Sequence, residues 1–419
     1  MRKLFKATAG LVGIAGLTTP ALAQNQAPAF IPIEDRPRPE YRTEPINVGS
    51  FELRPSINSQ IEYVDNLFPA ATTSVEDVVV RVTPTLRVAD RRSDRQIVLN
   101  LRAGYETYLD NSIDDRLLLN AKGNVRLGLG TATRPFIGFN VSRNDTRGRD
   151  FGSFDESVQP IKLTAYRGNV GLDQDIGSFT VTAEGRYSAA DFDGDIFIDN
   201  AVFDSAVRNS DQYGGRFRMA YTRDAAQTFY LEGEVNEYDF VTPDGSANFP
   251  PNFQVDRSST ETRLSAGFAR NLTEVLRVDV NAGYLRQSFV DPTLDSVETI
   301  SVIGRLFWNP SRLTSIQARA QRTVDPSIDP LFAGLLRTEG AFIVQHELRR
   351  NVVIGVEGQV GIVQLVDSSD DGSEIALAGM VRYFASPRFS LRLRAERFDR
   401  SGLFPGVQNR VSLATRLNF

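Results

Sequence analysis

The chain has 419 residues, no cysteine, a single histidine (His346) and a formal net charge of −5. Disulfides and Cys-ligated metals are thereby excluded, and one imidazole leaves little room for general-base chemistry or His-ligated metals. With 41% apolar residues and a mean hydropathy of −0.24, the chain is also too polar for a bundle of membrane helices.

Residues 1–23 read as a secretory signal peptide. Arg2, Lys3 and Lys6 form a basic start, Ala7 to Leu17 an apolar stretch too short to span a bilayer, and Ala21-Leu22-Ala23 an A-x-A cleavage site before Gln24. Cleavage removes three cations and no anions, so the formal charge falls from −5 to −8. An acidic, exported chain with no basic stripe does not suit a nucleic-acid partner. Residues 24–50 carry Pro28, Pro32, Pro37, Pro39 and Pro45 with charges between them, which predicts an extended, Pro-rich periplasmic tail, either a docking peptide or a leader without a role.

From Phe51 to Phe419 the pattern is period two, the signature of strands with two unlike faces. Ile97, Leu99, Leu101, Ala103 and Tyr105 alternate with Val98, Asn100, Arg102, Gly104 and Glu106; Leu117, Leu119, Ala121 and Gly123 alternate with Arg116, Asn120, Lys122 and Asn124. Such a face could pack on a second sheet or meet lipid. Run lengths of about 10–14 residues favour tilted strands crossing a bilayer. The breaks favour it too. Tight ones (Ala89–Arg95, Gly130–Thr133, Asp173–Gly177, Arg223–Ala226, Arg270–Thr273, Asn309–Arg312, Arg349–Asn351, Ala385–Arg388) alternate with mostly longer ones, among them Asn144–Ser157, Ala189–Ser210, Phe240–Val255, Asp325–Leu335, Asp367–Ser373 and Asp399–Gln408. Short periplasmic turns and long outer loops are the asymmetry of an outer-membrane barrel. The expectation is an all-β, antiparallel, up-and-down transmembrane barrel of about eighteen strands, within a range of 16–18. The weak run Pro160–Leu172, where the apolar parity slips between Leu163 and Val170, predicts a bulge.

The last run, Val411, Leu413, Leu417 and Phe419 on one face, ends on an aromatic residue without a tail, which resembles the C-terminal signal by which outer-membrane barrels are recognised for assembly. The segment Ile46-Asn47-Val48-Gly49-Ser50-Phe51-Glu52-Leu53-Arg54-Pro55-Ser56, with Glu62-Tyr63-Val64-Asp65-Asn66-Leu67-Phe68 and Val82-Thr83-Pro84-Thr85-Leu86 after it, resembles the start of a "putative beta-barrel porin" family of Gram-negative bacteria. The likeness extends over about residues 46–419, with its sharp motifs in the first forty or so. It implies a porin-like channel in the bacterial outer membrane with a link to exopolysaccharide export. It brings no catalytic residues.

The predicted pore-lining set lies on the inward parity: Arg54, Arg81, Arg102, Arg116, Arg126, Arg277, Arg392, Arg394, Glu106, Glu232 and Glu234. These charges read either as an electrostatic filter or as cross-strand ion pairs that hold and fill the wall. Aromatics near run ends (Tyr63, Phe136, Tyr187, Tyr221, Tyr284, Trp308, Tyr383, Phe389) suggest interfacial girdles where they point outward, while Tyr108, Tyr230 and Tyr238 point inward and could stack on sugar. Asp191–Asp195 and Asp367–Gly372 are acidic loops, solvated or binding Ca²⁺, without EF-hand spacing. His346 shares the outward parity of Phe342, Val344 and Leu348, badly placed for an enzyme. No enzyme, cofactor or metal is expected. The expected partners are outer-membrane lipids and lipopolysaccharide, the barrel assembly machinery and a polysaccharide. The alternative function is a non-conducting structural or adhesion barrel that works through its outer loops.

Overall fold

A computed structural model of the chain describes residues 30–67, 74–146, 161–198, 201–224, 226–241, 255–326, 334–365, 371–402 and 405–419. The predicted signal peptide, residues 1–23, and the acidic stretch 367–370 lie outside the described residues.

Eighteen long strands run antiparallel around one closed sheet: β1 (Phe51–Val64), β2 (Asp77–Asp90), β3 (Arg95–Tyr108), β4 (Arg116–Leu127), β5 (Thr133–Thr146), β6 (Ile161–Ile176), β7 (Phe179–Asp193), β8 (Ser210–Asp224) and β9 (Gln227–Phe240) form one half. The other half is β10 (Ser259–Thr273), β11 (Leu276–Phe289), β12 (Val297–Ser311), β13 (Thr314–Pro326), β14 (Gly334–Arg349), β15 (Val352–Leu365), β16 (Asp371–Phe384), β17 (Phe389–Gly402) and β18 (Gly406–Asn418). Each strand pairs with its sequence neighbours, and β18 returns to β1 with Leu417 opposite Ile57 and Val411 opposite Tyr63. Closure leaves no strand edge, which a sheet in hydrocarbon requires.

The turn asymmetry read from the sequence holds. β6 and β7 are joined by Gly177-Ser178 alone, with Ile176 opposite Phe179 and Gly177 at φ +61°, a left-handed backbone that glycine adopts without strain. At the opposite end, the Ala189–Ser210 break is shorter than expected: β7 continues to Asp193, and a small hairpin pairs Asp195–Ile198 with Ala201–Asp204.

The sheet is inside out relative to a soluble sandwich. Leu, Val, Ile, Phe and Tyr side chains are exposed on the outer wall, as lipid contact demands. Two aromatic belts bound that surface. At the loop end, Tyr63, Tyr105 and Tyr187 lay their rings on the outer wall and turn their hydroxyls to Glu76, Asp115 and Asp211, at 2.6, 3.2 and 2.6 Å. At the short-turn end, Phe179 stacks on Tyr221 and Phe229 on Phe268, with Trp308 and Tyr383 in the same belt. Amphipathic rings suit both interfaces. Phe136 departs from the expected belt: it is buried on the inner wall, with the guanidinium of Arg126 4.9 Å over its ring.

The bulge predicted in the run Pro160–Leu172 is absent. β6 pairs with β5 and β7 in unbroken register from Ile161 to Gln174. The parity slip has another cause. Ile161 and Leu163 point inward and pack with Phe192 and Val207 into an apolar plug at the loop end of the lumen, while Val170 and Leu172 lower down the same strand face lipid.

The tail is also more than an extended leader in the residues described. From Phe30 it enters the short-turn end of the barrel. Ile33, wholly buried, packs on Val353 and Phe384, and Phe30 meets Phe307 edge-on. The prolines break it into two 3-10 turns, Ile33–Asp35 and Pro39–Tyr41, before Ile46–Val48 folds back on the start of β1.

Candidate functional site: a basic lumen

Because side chains alternate along a strand, every second residue of each strand points into the lumen. On β1–β8 and β16–β18 these inward residues line a cavity of about 1280 Å³. Its wall is strongly one-signed: ten cations, among them Arg81, Arg102, Arg116, Lys122, Arg167, Arg392 and Arg416, face two carboxylates, Glu106 and Glu184.

Both carboxylates are already engaged. Glu106, with a side chain only 1% exposed, sits between Arg81 and Arg116 and accepts from Arg116 at 2.5 Å. The three occupy facing positions on β2, β3 and β4, since Arg81 opposes Glu106 and Glu106 opposes Arg116. Glu184 pairs with Arg216 on β8 at 2.6 Å. Arg102, Lys122, Arg167 and Arg416 have no carboxylate partner among the described residues. All four are exposed to the lumen. Excess guanidinium and ammonium charge in a cleft with low-dielectric walls concentrates anions.

The facing part of the wall is different. On β9 and β10, Glu234 binds Arg186 (2.7 Å) and Arg263, and Glu232 lies 3.6 Å from Arg216. Arg218 stacks 3.6 Å over Tyr230, whose hydroxyl donates to Asp279 at 2.8 Å. This part is sewn shut by cross-strand pairs. On the cavity side too, Arg394, which shares β17 with Arg392, joins Glu357 and Glu396 at 2.5 and 2.7 Å. The cavity thus keeps four cations without a carboxylate partner, Arg102, Lys122, Arg167 and Arg416, among charges that are otherwise largely paired.

Each predicted lining residue falls on the inner wall, but at different places. Arg81, Arg102, Arg116, Arg392 and Glu106 border the cavity. Arg126 is tied to Asp173 below Phe136, Arg394, Glu232 and Glu234 are taken up in ion pairs, and Arg277 lies opposite Phe307 near the short-turn end. Arg54 donates to Glu52 at 3.0 Å and to the carbonyl of Thr43 at 3.2 Å, clear of the cavity. Tyr108, Tyr230 and Tyr238 do point inward but are buried in the wall, so none offers an open face to a sugar. Arg143 and Arg167 border the cavity without having been singled out in the sequence; unbroken alternation through β6 would have found Arg167. Glu34 was missed for a different reason, since nothing in the local sequence ties it to strands some 350 residues away.

His346 faces outward near the short-turn end, its Nδ1 3.0 Å from Thr314 Oγ1. Among the described residues no group of His, Asp and Glu has the arrangement of a metal site, and no helix is long and apolar enough to cross a membrane. Val411, Leu413 and Leu417 face outward on β18, and Phe419 just after it is exposed.

Residues 38–415 match the family described as "Putative beta-barrel porin 2". The chain belongs to that family. It is a porin-like β-barrel of the bacterial outer membrane. No curated protein matches it. Among solved structures, similar folds include Pseudomonas aeruginosa OccK2 (OpdF), at 13% identity and a TM-score of 0.48 over 88% of this chain and 98% of that one. They also include Pseudomonas aeruginosa OpdQ, at 11% identity and a TM-score of 0.46 over 89% and 98%.

Proposed function

We propose that this barrel is an anion-selective channel for small carboxylated solutes, with acidic saccharides as the class that fits both the wall charge and the family's association with exopolysaccharide. The observation that carries the reading is the excess of cations on the cavity wall: Arg102, Lys122, Arg167 and Arg416 face the cavity without a carboxylate partner. In this reading the chain is exported through a signal peptide cut after Ala23, inserts by way of its C-terminal strand and the assembly machinery, sits in lipid and lipopolysaccharide, and performs no catalysis.

The test is a reversal-potential measurement in planar bilayers across a KCl gradient. Anion preference is expected, and neutralising Arg102, Lys122, Arg167 and Arg416 to Gln should move the reversal potential to the cation side of its wild-type value. Liposome swelling should admit galacturonate faster than galactose. Flat traces from folded protein, or cation preference in the unmutated chain, would sink the reading.

A second reading, a closed structural barrel, draws support from the segment seated in the short-turn mouth and the apolar plug at the loop end. Swelling assays separate it directly, since a closed barrel admits neither sugar.

A further inference from the structure

The short-turn end of the basic cavity carries a built anion site, and the chain itself fills it. Arg382 and Arg392 point inward from β16 and β17 and border the cavity. Between them lies the carboxylate of Glu34, carried in by the N-terminal segment. One of its oxygens accepts from Arg382 at 2.5 Å and from Arg392 at 3.0 Å; the other accepts from Gln345 Nε2 at 3.1 Å. The amide oxygen of Gln345 takes the backbone N–H of Glu34 at 3.1 Å. Two guanidiniums and an amide converging on one carboxylate is a recognition geometry, not a chance surface pair.

The rest of the segment holds by contacts outside the cavity's cationic set. Ile33 donates its N–H to Ser315 Oγ at 3.0 Å and buries its side chain on Val353 and Phe384. Arg38 pairs with Glu347 at 2.9 Å. Only Glu34 inserts charge into the cavity's own cationic set. A free carboxylate arriving through the lumen would meet the same two arginines and offer them the same bonds.

We infer that Arg382, Arg392 and Gln345 form a binding site for carboxylate-bearing solutes, that Glu34 occupies it as a tethered ligand, and that incoming anions displace Glu34 and unseat the Phe30–Tyr41 segment from the mouth. This deepens the proposed channel function and rests on it for the route by which anions arrive. The site itself stands on its contacts alone.

Because the chain has no cysteine, the mature full-length protein carrying Ile33→Cys presents one thiol, buried while the segment is seated. Maleimide labelling is timed in sodium gluconate, in glucose and in sodium chloride matched to the gluconate in ionic strength. Gluconate should speed labelling several-fold over chloride, and glucose should not. Adding Glu34→Gln should speed labelling about tenfold without any anion, the loss expected for a charged hydrogen-bonded contact, and abolish the gluconate response. Since Ile33→Cys removes an anchor, exchange of the Ile33 amide, hydrogen-bonded to Ser315, is followed in the unmutated chain under the same three solutes. Equal rates in gluconate and chloride by both methods, or labelling already fast without anion together with an unprotected Ile33 amide, would overturn the inference. Anion-selective currents with unresponsive labelling would leave the channel reading standing while this one falls. Responsive labelling with flat currents would do the reverse.

Discussion

The backbone N–H of Phe419 donates to the carbonyl of Pro55 at 3.1 Å, so the last residue of the chain is clasped to the first long strand. Its side chain lies on the lipid face with Leu417 and Val411. One hydrogen bond is worth about 1 kcal/mol, little against a barrel of eighteen strands. Deleting Phe419 should therefore leave the assembled barrel's thermal transition and transport nearly unchanged while reducing the fraction that reaches the outer membrane. Heat-modifiable mobility in membrane fractions measures the second, and normal insertion of the truncated chain would refute the assignment of an assembly role.

Glu106 pairs with both Arg81 and Arg116. Replacing it with Gln leaves two guanidiniums facing each other. Both arginines reach lumen water, so the cost should fall near about 1–3 kcal/mol and not at the full penalty of a dry broken pair. Urea midpoints of refolded barrel would read the loss. The same substitution adds one net positive charge beside the cavity, so anion preference should rise while stability falls.

Several glycines lie beneath aromatic rings from a neighbouring strand. A Cβ on Gly267 would stand 2.0 Å from Tyr230 Cζ, and the rings of Phe136, Phe139 and Phe342 cover Gly171, Gly123 and Gly358 in the same way. Gly267→Val should displace Tyr230 and break both its bond to Asp279 and its stack on Arg218, costing about 1–3 kcal/mol. Gly215→Ala, where a Cβ meets nothing, should be neutral or stabilising by about 0.5 kcal/mol. Parallel unfolding curves of the two variants would show whether ring cover, and not strand position, sets the difference.

Outside the spanning wall, Glu40 bonds Arg350 at 2.5 Å. A hydrogen bond from its own backbone N–H, and then Arg350, hold its carboxyl below the ordinary range. A depressed carboxyl contributes stability above its unfolded pKa and loses it as pH falls through the folded value. The tether should therefore be intact at neutral pH and weaken below about pH 4. A spin label on Pro37→Cys should gain mobility in that acid range, and Glu40→Gln should remove the acid-dependent step.

The barrel was legible because its signals are local. Alternation fixes a strand's two faces, and the contrast of tight and long breaks fixes the two ends, so Arg81, Glu106 and Arg116 could be assigned inward without a structure. What alternation does not carry is register. Whether an inward arginine meets a carboxylate depends on which residue of the next strand stands opposite, and so Arg102, left free, and Arg394, doubly paired, read alike. The bulge expected in β6 failed because parity was taken as a measure of lipid contact. At the loop end part of the inner wall is apolar, where Ile161 and Leu163 pack on Phe192 and Val207. The seat of Glu34 had no local signal at all.

The four cations without a carboxylate partner, Arg102, Lys122, Arg167 and Arg416, all stand on β3, β4, β6 and β18, on one side of the lumen, so the electric field inside has a component across the tube as well as along it. An anion entering from outside would be drawn to the wall built by β1–β8 and β16–β18 and travel along that side. In an anion-conducting barrel the permeation path would then be a lateral track, and the conductance cost of removing a cation should follow its position around the circumference more closely than its depth in the membrane.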